Sequence, residues 1–229
     1  VLAIPLTMLL TSIIVVILDQ LIYKRLRTRQ ASTMLISIAS LGVAIMIRGL
    51  VQFLWGNEPE YFPRESKQFY MLPLDIRIPP DNVILGLMAV LMTLGVYLFL
   101  KYNKYGKFMR ATANNPNLSL STGINTSIVI MWTWIISGSL AAAGGTMLAV
   151  SQAQILPMTG WKILLPIFAS VILGGIGKPI GALVGAIIIG ISMEASTAWL
   201  NPTYKPAVAF TIMIAMLLVK PNGLFGEKD

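Results

Sequence analysis

NVILGLMAVLMTLGVYLFL, residues 82–100, runs directly into KYNKYGKFMRATANNPNLSLSTGINTS, residues 101–127. The first stretch carries no charged side chain over nineteen residues. At about 1.5 Å of rise per helical residue, that length approaches the ~30 Å hydrocarbon thickness of a bilayer. The second stretch holds Lys101, Lys104, Lys107 and Arg110 and has little apolar continuity. Together they read as a transmembrane helix leaving the membrane through a basic, polar segment. Six further apolar runs lie on either side, at about 3–22, 33–55, 127–150, 161–174, 181–199 and 207–219. None alternates with the ten-residue pattern of barrel strands. The predicted fold is therefore all-α, a polytopic transmembrane helical bundle of about seven segments in one domain over residues 1–229, with 161–174 short or broken. Composition agrees: 56% of the 229 residues are hydrophobic and 11% charged, with a mean hydropathy of +0.77. That leaves too little polar surface to coat a water-soluble globule of this size.

The net charge of +8 would suit nucleic acid, but its placement gives it another meaning. Lys24, Arg25, Arg27 and Arg29 follow the first run, the four cations quoted above follow the third, Lys178 follows the fifth and Lys220 the seventh. If the chain alternates sides, all of these fall on one side. The other loops mix Arg64, Lys67, Arg77 and Lys205 with Glu58, Glu60, Glu65, Asp75 and Asp81. Basic loops mark the cytoplasm, which puts Val1 outside, Asp229 inside, residues 56–81 in an extracytoplasmic loop and 101–126 in a cytoplasmic one. Trp55, Trp161, Trp199 and Tyr204 at the outer ends, and Tyr23, Tyr102 and Tyr105 at the inner ends, fit aromatic belts. The partner implied is membrane lipid, with no nucleic acid. Absence of cysteine and histidine removes disulfides, thiol chemistry, soft-metal sites and the usual proton shuttle. No paired carboxylates or nucleophile–base pairs stand out, so no enzyme activity, catalytic residue, metal or cofactor is expected. GGIGKP at 174–179 resembles a phosphate loop only superficially, since Pro179 stands where Ser or Thr should follow Lys178.

Breakers and small residues shape the rest. Gly56 to Pro80 contains five prolines, with MLPLDIRIPP able to form a short extended edge. LGGIGKPIGALVG, residues 173–185, interrupts two apolar runs at Gly174, Gly175 and Gly177. Interrupted helices of this kind line transport paths, and equally they form tight turns with G-x-x-x-G packing through Gly181 and Gly185. Gly138, Ala141, Ala142 and Gly145 mark another close-packing face. Charges within spans are functional candidates by default, tempered by depth. Asp19 lies a turn from Lys24 and Arg25 and reads as a charge-paired interface residue, and Lys162 as a snorkelling one. Arg48 and Glu194 are candidates for a translocation path, against interfacial or structural roles. Within 105–127, MRATANN predicts a helical piece closed at Asn115-Pro116, with a second short turn ending at Gly123. The acceptor-like triplets Asn117-Leu118-Ser119 and Asn125-Thr126-Ser127 fall in the cytoplasmic loop and read as chance matches to glycosylation sites.

YGKFMRATANNPNLSLSTGIN resembles the cytoplasmic loop of the permeases of branched-chain amino acid ABC importers. There a G-[RK]-x-x-R-A-x-A pattern precedes G-I-[ND], matched here by Gly106, Lys107, Arg110, Ala111, Ala113, Gly123, Ile124 and Asn125. SGSLAAAGGTMLA (137–149), VILGGIGKPIGALVGAIIIGISMEA (171–195) and YKPAVAFTIMIAMLLVKPNGLFG (204–226) extend the likeness in the same order. The resemblance implies an inner-membrane permease subunit with no catalytic site of its own. It implies cytoplasmic ATP-binding subunits engaged through those eight residues, a second related permease subunit and an extracytoplasmic solute-binding protein. Relatives of that family also carry urea or short amides, and an ion-coupled transporter using Glu194 is the rival of a different class. Two departures stand out. Asn114 and Asn115 replace the acidic residue usual after R-A-x-A, taking the anion out of any ion pair there with the ATPase, and the family's first two spans have no counterpart, as in an N-terminally truncated chain.

Overall fold

The computed structural model of the chain describes residues 3–62, 70–72, 76–78 and 80–226. Val1, Asp229 and the outer-loop residues Arg64, Glu65, Lys67 and Asp75 lie outside the described residues, and Arg77 is described by its backbone alone. Among the described residues, six helices are long and apolar enough to cross a membrane, and a seventh apolar helix is shorter. The chain divides into two compact units, residues 1–89 with 99–157, and residues 90–98 with 158–229.

The first unit opens with α1 (Ala3–Leu18), a π turn (Asp19–Tyr23) and α2 (Lys24–Thr28), which form one continuous helix. It runs six residues beyond the apolar stretch ending at Ile22. Loss of hydrophobicity marks where hydrocarbon ends and not where a helix ends, and Lys, Arg and Leu in KRLRT are good helix formers. The helix stops near Gln30, whose φ is 50°. α3 (Thr33–Trp55) starts on the Ser32 hydroxyl, which accepts from the Leu35 N–H at 3.4 Å, and ends at Gly56 with φ 81°. α4 (Pro80–Tyr102), α5 (Lys104–Asn114), α6 (Pro116–Ser121) and α7 (Thr126–Gln152) follow. Asparagine side chains cap the last three: Asn103 accepts from Tyr105 N–H at 2.9 Å, Asn115 from Leu118 N–H at 3.0 Å and Asn125 from Ile128 N–H at 3.3 Å.

Helix α1 packs on α7 through small and polar groups, as helices must where lipid offers no hydrophobic driving force. A Cβ on Gly138 would sit 2.5 Å from Val15 Cγ2, and the Ser12 and Ser139 hydroxyls are 2.7 Å apart. Beyond α7, β1 (Glu60–Tyr61) pairs antiparallel with β4 (Gln154–Ile155), Glu60 opposite Ile155, tying the start of the outer loop to the end of that helix. The extended edge expected near residue 71 is a two-stranded antiparallel pair, β2 (Tyr70–Leu72) with β3 (Ile76–Ile78).

The second unit is built from α8 (Thr159–Gly174), α9 (Pro179–Ser196), a 3-10 turn at Pro202–Tyr204 and α10 (Lys205–Val219). Its core is Ala169, Leu173, Ile189 and Ala209, with Met193, Ile212, Met213 and Met216 packed around them. α8 is the short helix, sixteen residues with Pro166 in its interior.

Candidate coupling and translocation site

Gly106 decides where the polar segment sits. Asn103 breaks the chain between α4 and α5, and α5 folds back so closely that a Cβ on Gly106 would strike the Phe99 carbonyl oxygen, with Leu100 Cα at 2.6 Å. Only glycine fits that corner. The Tyr105 ring lies 5.9 Å from Trp132 of α7, and Phe108 adds an edge contact to Tyr105 at 6.3 Å. On the same side of α5, Thr112 is buried. Lys107, Arg110, Ala111 and Ala113 remain exposed.

Asn115 closes α5 and opens α6, so the expected break at Asn115-Pro116 is a helix–helix joint. Ser119 is buried, its hydroxyl donating to Asn115 O at 3.0 Å, while Leu118 and Leu120 stay exposed. Gly123, at φ 83°, makes the left-handed turn after α6 that a side chain would resist, and Ile124 N–H donates back to Ser119 O at 3.0 Å. Asn125 then caps α7. Of the eight residues of the G-K-x-x-R-A-x-A…G-I-N pattern, five thus lie on α5 and three on the link from α6 to α7: Gly106, Gly123 and Asn125 shape the backbone, and the cationic Lys107 and Arg110 are exposed.

Two cavities flank the start of α7 within the first unit. One, about 770 Å³, is walled by Leu100, Met109, Arg110, Val129 and Trp134, with Thr112 at its edge. The Thr112 hydroxyl oxygen is buried and has no hydrogen-bond partner among the described residues. The other, about 540 Å³, lies between the π turn, α6 and α7. Arg27, after the first span, and Arg110, after the third, line the first of these cavities together.

Asp19 borders the second cavity and is 5% exposed. The expected charge pairing is present with a different partner. Arg27 Nη2 donates to Asp19 Oδ1 at 2.7 Å, in place of Lys24 or Arg25. Arg27 is long enough to reach back along the axis, whereas Lys24 and Arg25 are exposed. The neighbouring Tyr23 ring stacks on Trp134 with centroids 5.0 Å apart. Sequence periodicity carries no sign of this π turn, because its one extra residue is accommodated without a breaker.

The glycines of 173–185 are used for packing. A Cβ on Gly174 would strike Gly181 and sit 2.6 Å from Ala182 N, and one on Gly185 would strike Ser170 O, so α8 and α9 touch backbone to backbone. Gly175 and Gly177 take φ of 106° and 84° to turn the chain between them. Gly175 also receives the C-terminal segment: Leu224 N–H donates to Leu173 O at 2.9 Å and Phe225 N–H to Gly174 O at 3.1 Å. The carbonyls that every helix end leaves open are met here by KPNGLFG, a role that no local sequence signal announces. Glu194 is held by Lys205, whose Nζ donates to both carboxylate oxygens at 2.7 and 2.8 Å. Its side chain is 74% exposed, at the α9–α10 connection. Arg48 is half-buried in α3, two turns before Trp55, and Lys162 is exposed in the first turn of α8.

A family model described as the permease component of the branched-chain amino acid transport system matches residues 1–217. The chain belongs to that family. This permease is 28% identical over 205 residues to the high-affinity branched-chain amino acid transport system permease protein LivH of Escherichia coli (strain K12), covering 88% of this chain and 67% of that one. It is 32% identical over 223 residues to the probable branched-chain amino acid transport permease protein LivH of Methanocaldococcus jannaschii, covering 93% and 70%. A more distant likeness, 25% over 152 residues, is to the ribose import permease protein RbsC of Haemophilus influenzae. No solved structure matches. The permease is a multi-pass inner-membrane transport subunit.

Proposed function

We propose that this permease passes branched-chain or related amino acids across the cytoplasmic membrane, driven by ATP-binding subunits that grip α5 and α6, with a second permease subunit and an extracytoplasmic binding protein completing the importer. The observation that carries the reading is the α5–α6 pair: a capped helix pair between two spans, seated by Gly106 and Tyr105, with Lys107, Arg110 and Leu118 exposed on it. A rigid handle transmits displacement that a loose loop would absorb. The names of the relatives support the solute class. Nucleotide binding by the ATPase would shift the balance between inward-open and outward-open arrangements through that handle, with no chemistry by the permease itself. For Gly174 and Gly185 we propose that close packing keeps α8 and α9 together as one moving piece.

The test is purification from native membranes of the wild type and of a Lys107→Glu/Arg110→Glu variant. Both side chains are exposed, so the variant keeps its fold while the handle's charge reverses. ATP-binding subunits are expected to accompany the wild type and to fall at least about tenfold with the variant. Wild-type protein arriving without any ATPase would overturn the reading.

A further inference from the structure

The cavity beside the π turn carries charged groups that the coupling reading leaves without a role. At its inner wall, Asp19 is 5% exposed, yet Arg27 is its sole hydrogen-bond donor among the described residues and bonds Oδ1 alone. Oδ2 is left as an open acceptor. The π turn closes with Lys24 N–H donating to Asp19 O, an i→i+5 step. In a regular α-helix, residue i+5 stands about 140° round the axis from i. Here the wider turn brings Lys24 to the same cavity as Asp19, and its ammonium has no partner among the described residues. The start of α7 completes the lining, where Asn125 Oδ1 takes only the Ile128 N–H and Thr126 and Ser127 border the cavity. The remaining wall sets Gln20, Arg27 and Thr28 beside an apolar face of Leu120, Ile128, Ile130 and Met131.

An anion alone would leave the open Oδ2 of Asp19 unmet, and a cation alone would meet Lys24, Arg27 and the positive end of α7. A molecule carrying both charges a few bonds apart answers Asp19 Oδ2 and Lys24 together, with an aliphatic part left for the apolar face. We propose that this cavity, at the basic end of the permease, binds a zwitterion that offers an ammonium to Asp19 and an acid group to Lys24 and the α7 N-terminus. At about 540 Å³ it lies within the usual range of small-molecule sites. Leu120 belongs to α6, so an occupant joins the π turn, α6 and α7, and its presence is felt by the helix pair assigned to coupling. Two sources present this chemistry: a free aliphatic amino acid and the head of an ethanolamine phospholipid. The proposal goes beyond the transport reading and stands on the cavity's own groups.

The permease, purified with its accompanying subunits, is placed in nanodiscs of phosphatidylglycerol alone and labelled with photoreactive leucine, and the adducts are mapped by mass spectrometry. Adducts within 120–131 that excess leucine removes, and that drop about tenfold in Asp19→Asn and in Lys24→Gln, support the site with the free amino acid as source. Lys24→Gln leaves the Asp19–Arg27 pair in place, which separates loss of binding from loss of fold. If leucine leaves no such adducts but phosphatidylethanolamine is retained from native membranes at about one per chain by wild type and not by the two variants, the site stands with the lipid as source. Neither adducts nor retained phosphatidylethanolamine in wild-type protein would overturn it. Adducts confined to other helices, with ATP-driven uptake intact, would overturn it and leave the transport reading standing.

Discussion

Gly106 and Glu194 show how differently two singled-out residues behave once their surroundings are known. Gly106 sits where a methyl group would enter the α4 backbone, and backbone cannot give way as a flexible side chain can. Gly106→Ala is expected to cost about 1–3 kcal/mol through overpacking. That would appear as a fall in the melting temperature of detergent-purified protein, and an unchanged melting curve would contradict the close α4–α5 corner. The same geometry makes a charged substitution at Gly106 a poor probe of coupling, since it removes the fold along with the contact. Glu194, by contrast, is an exposed clamp to Lys205. Surface ion pairs contribute about 0–1 kcal/mol, so Glu194→Gln is expected to change stability little and to lower ATP-driven uptake by less than about threefold. Uptake that collapses in this variant and follows an ion gradient would restore the ion-coupled rival. The glycine pattern of the coupling segment was legible as a string of residues, but why Gly106 is glycine was not, because the atoms it must avoid lie on another helix. Asp19 teaches the same lesson: its need for a cation was readable from burial in a span, whereas the choice of Arg27 depended on a π turn that no residue type marks.

At the scale of elements, helix ends carry the distinctive features. Four asparagines, Asn103, Asn115, Asn125 and Asn201, accept from backbone N–H groups at the starts of successive elements. Asn115→Ala is expected to cost about 0.5–2 kcal/mol. Because Asn115 both closes α5 and caps α6, the loss should be local, read as faster amide exchange in 116–121 with little change elsewhere. Uniform exchange across the coupling segment in wild type and variant would speak against a capped pair. The other notable end is that of α8, whose Leu173 and Gly174 carbonyls accept from Leu224 and Phe225. Deleting residues 221–229 leaves both acceptors without those donors, at about 0.5–1.5 kcal/mol each. A clear fall in melting temperature is expected, and a truncated chain as stable as the full one would show the C-terminal segment to be dispensable to α8. Caps within a few residues of a helix can be read from sequence, as Asn115-Pro116 was. A cap supplied from fifty residues away cannot.

For the whole molecule, the side-to-side arrangement expected from loop charge is open to direct measurement. The chain has no cysteine, so any introduced thiol is unique. Leu118→Cys and Tyr61→Cys both lie at exposed positions. With a membrane-impermeant maleimide, Tyr61→Cys is expected to react in intact cells and Leu118→Cys only after the membrane is opened. The reverse pattern would invert the topology and remove the ATPase from the α5–α6 pair. Spans, their approximate number and the family pattern were all determined by the sequence itself, because hydrocarbon thickness acts on each segment independently of the others. Tertiary structure alone decided which glycines are contacts, which cation answers Asp19, how the C-terminal segment closes α8, and that a cavity with charges of both signs faces the start of α7. Each of these depends on atoms brought together from distant parts of the chain, and no local term of composition or periodicity contains that information.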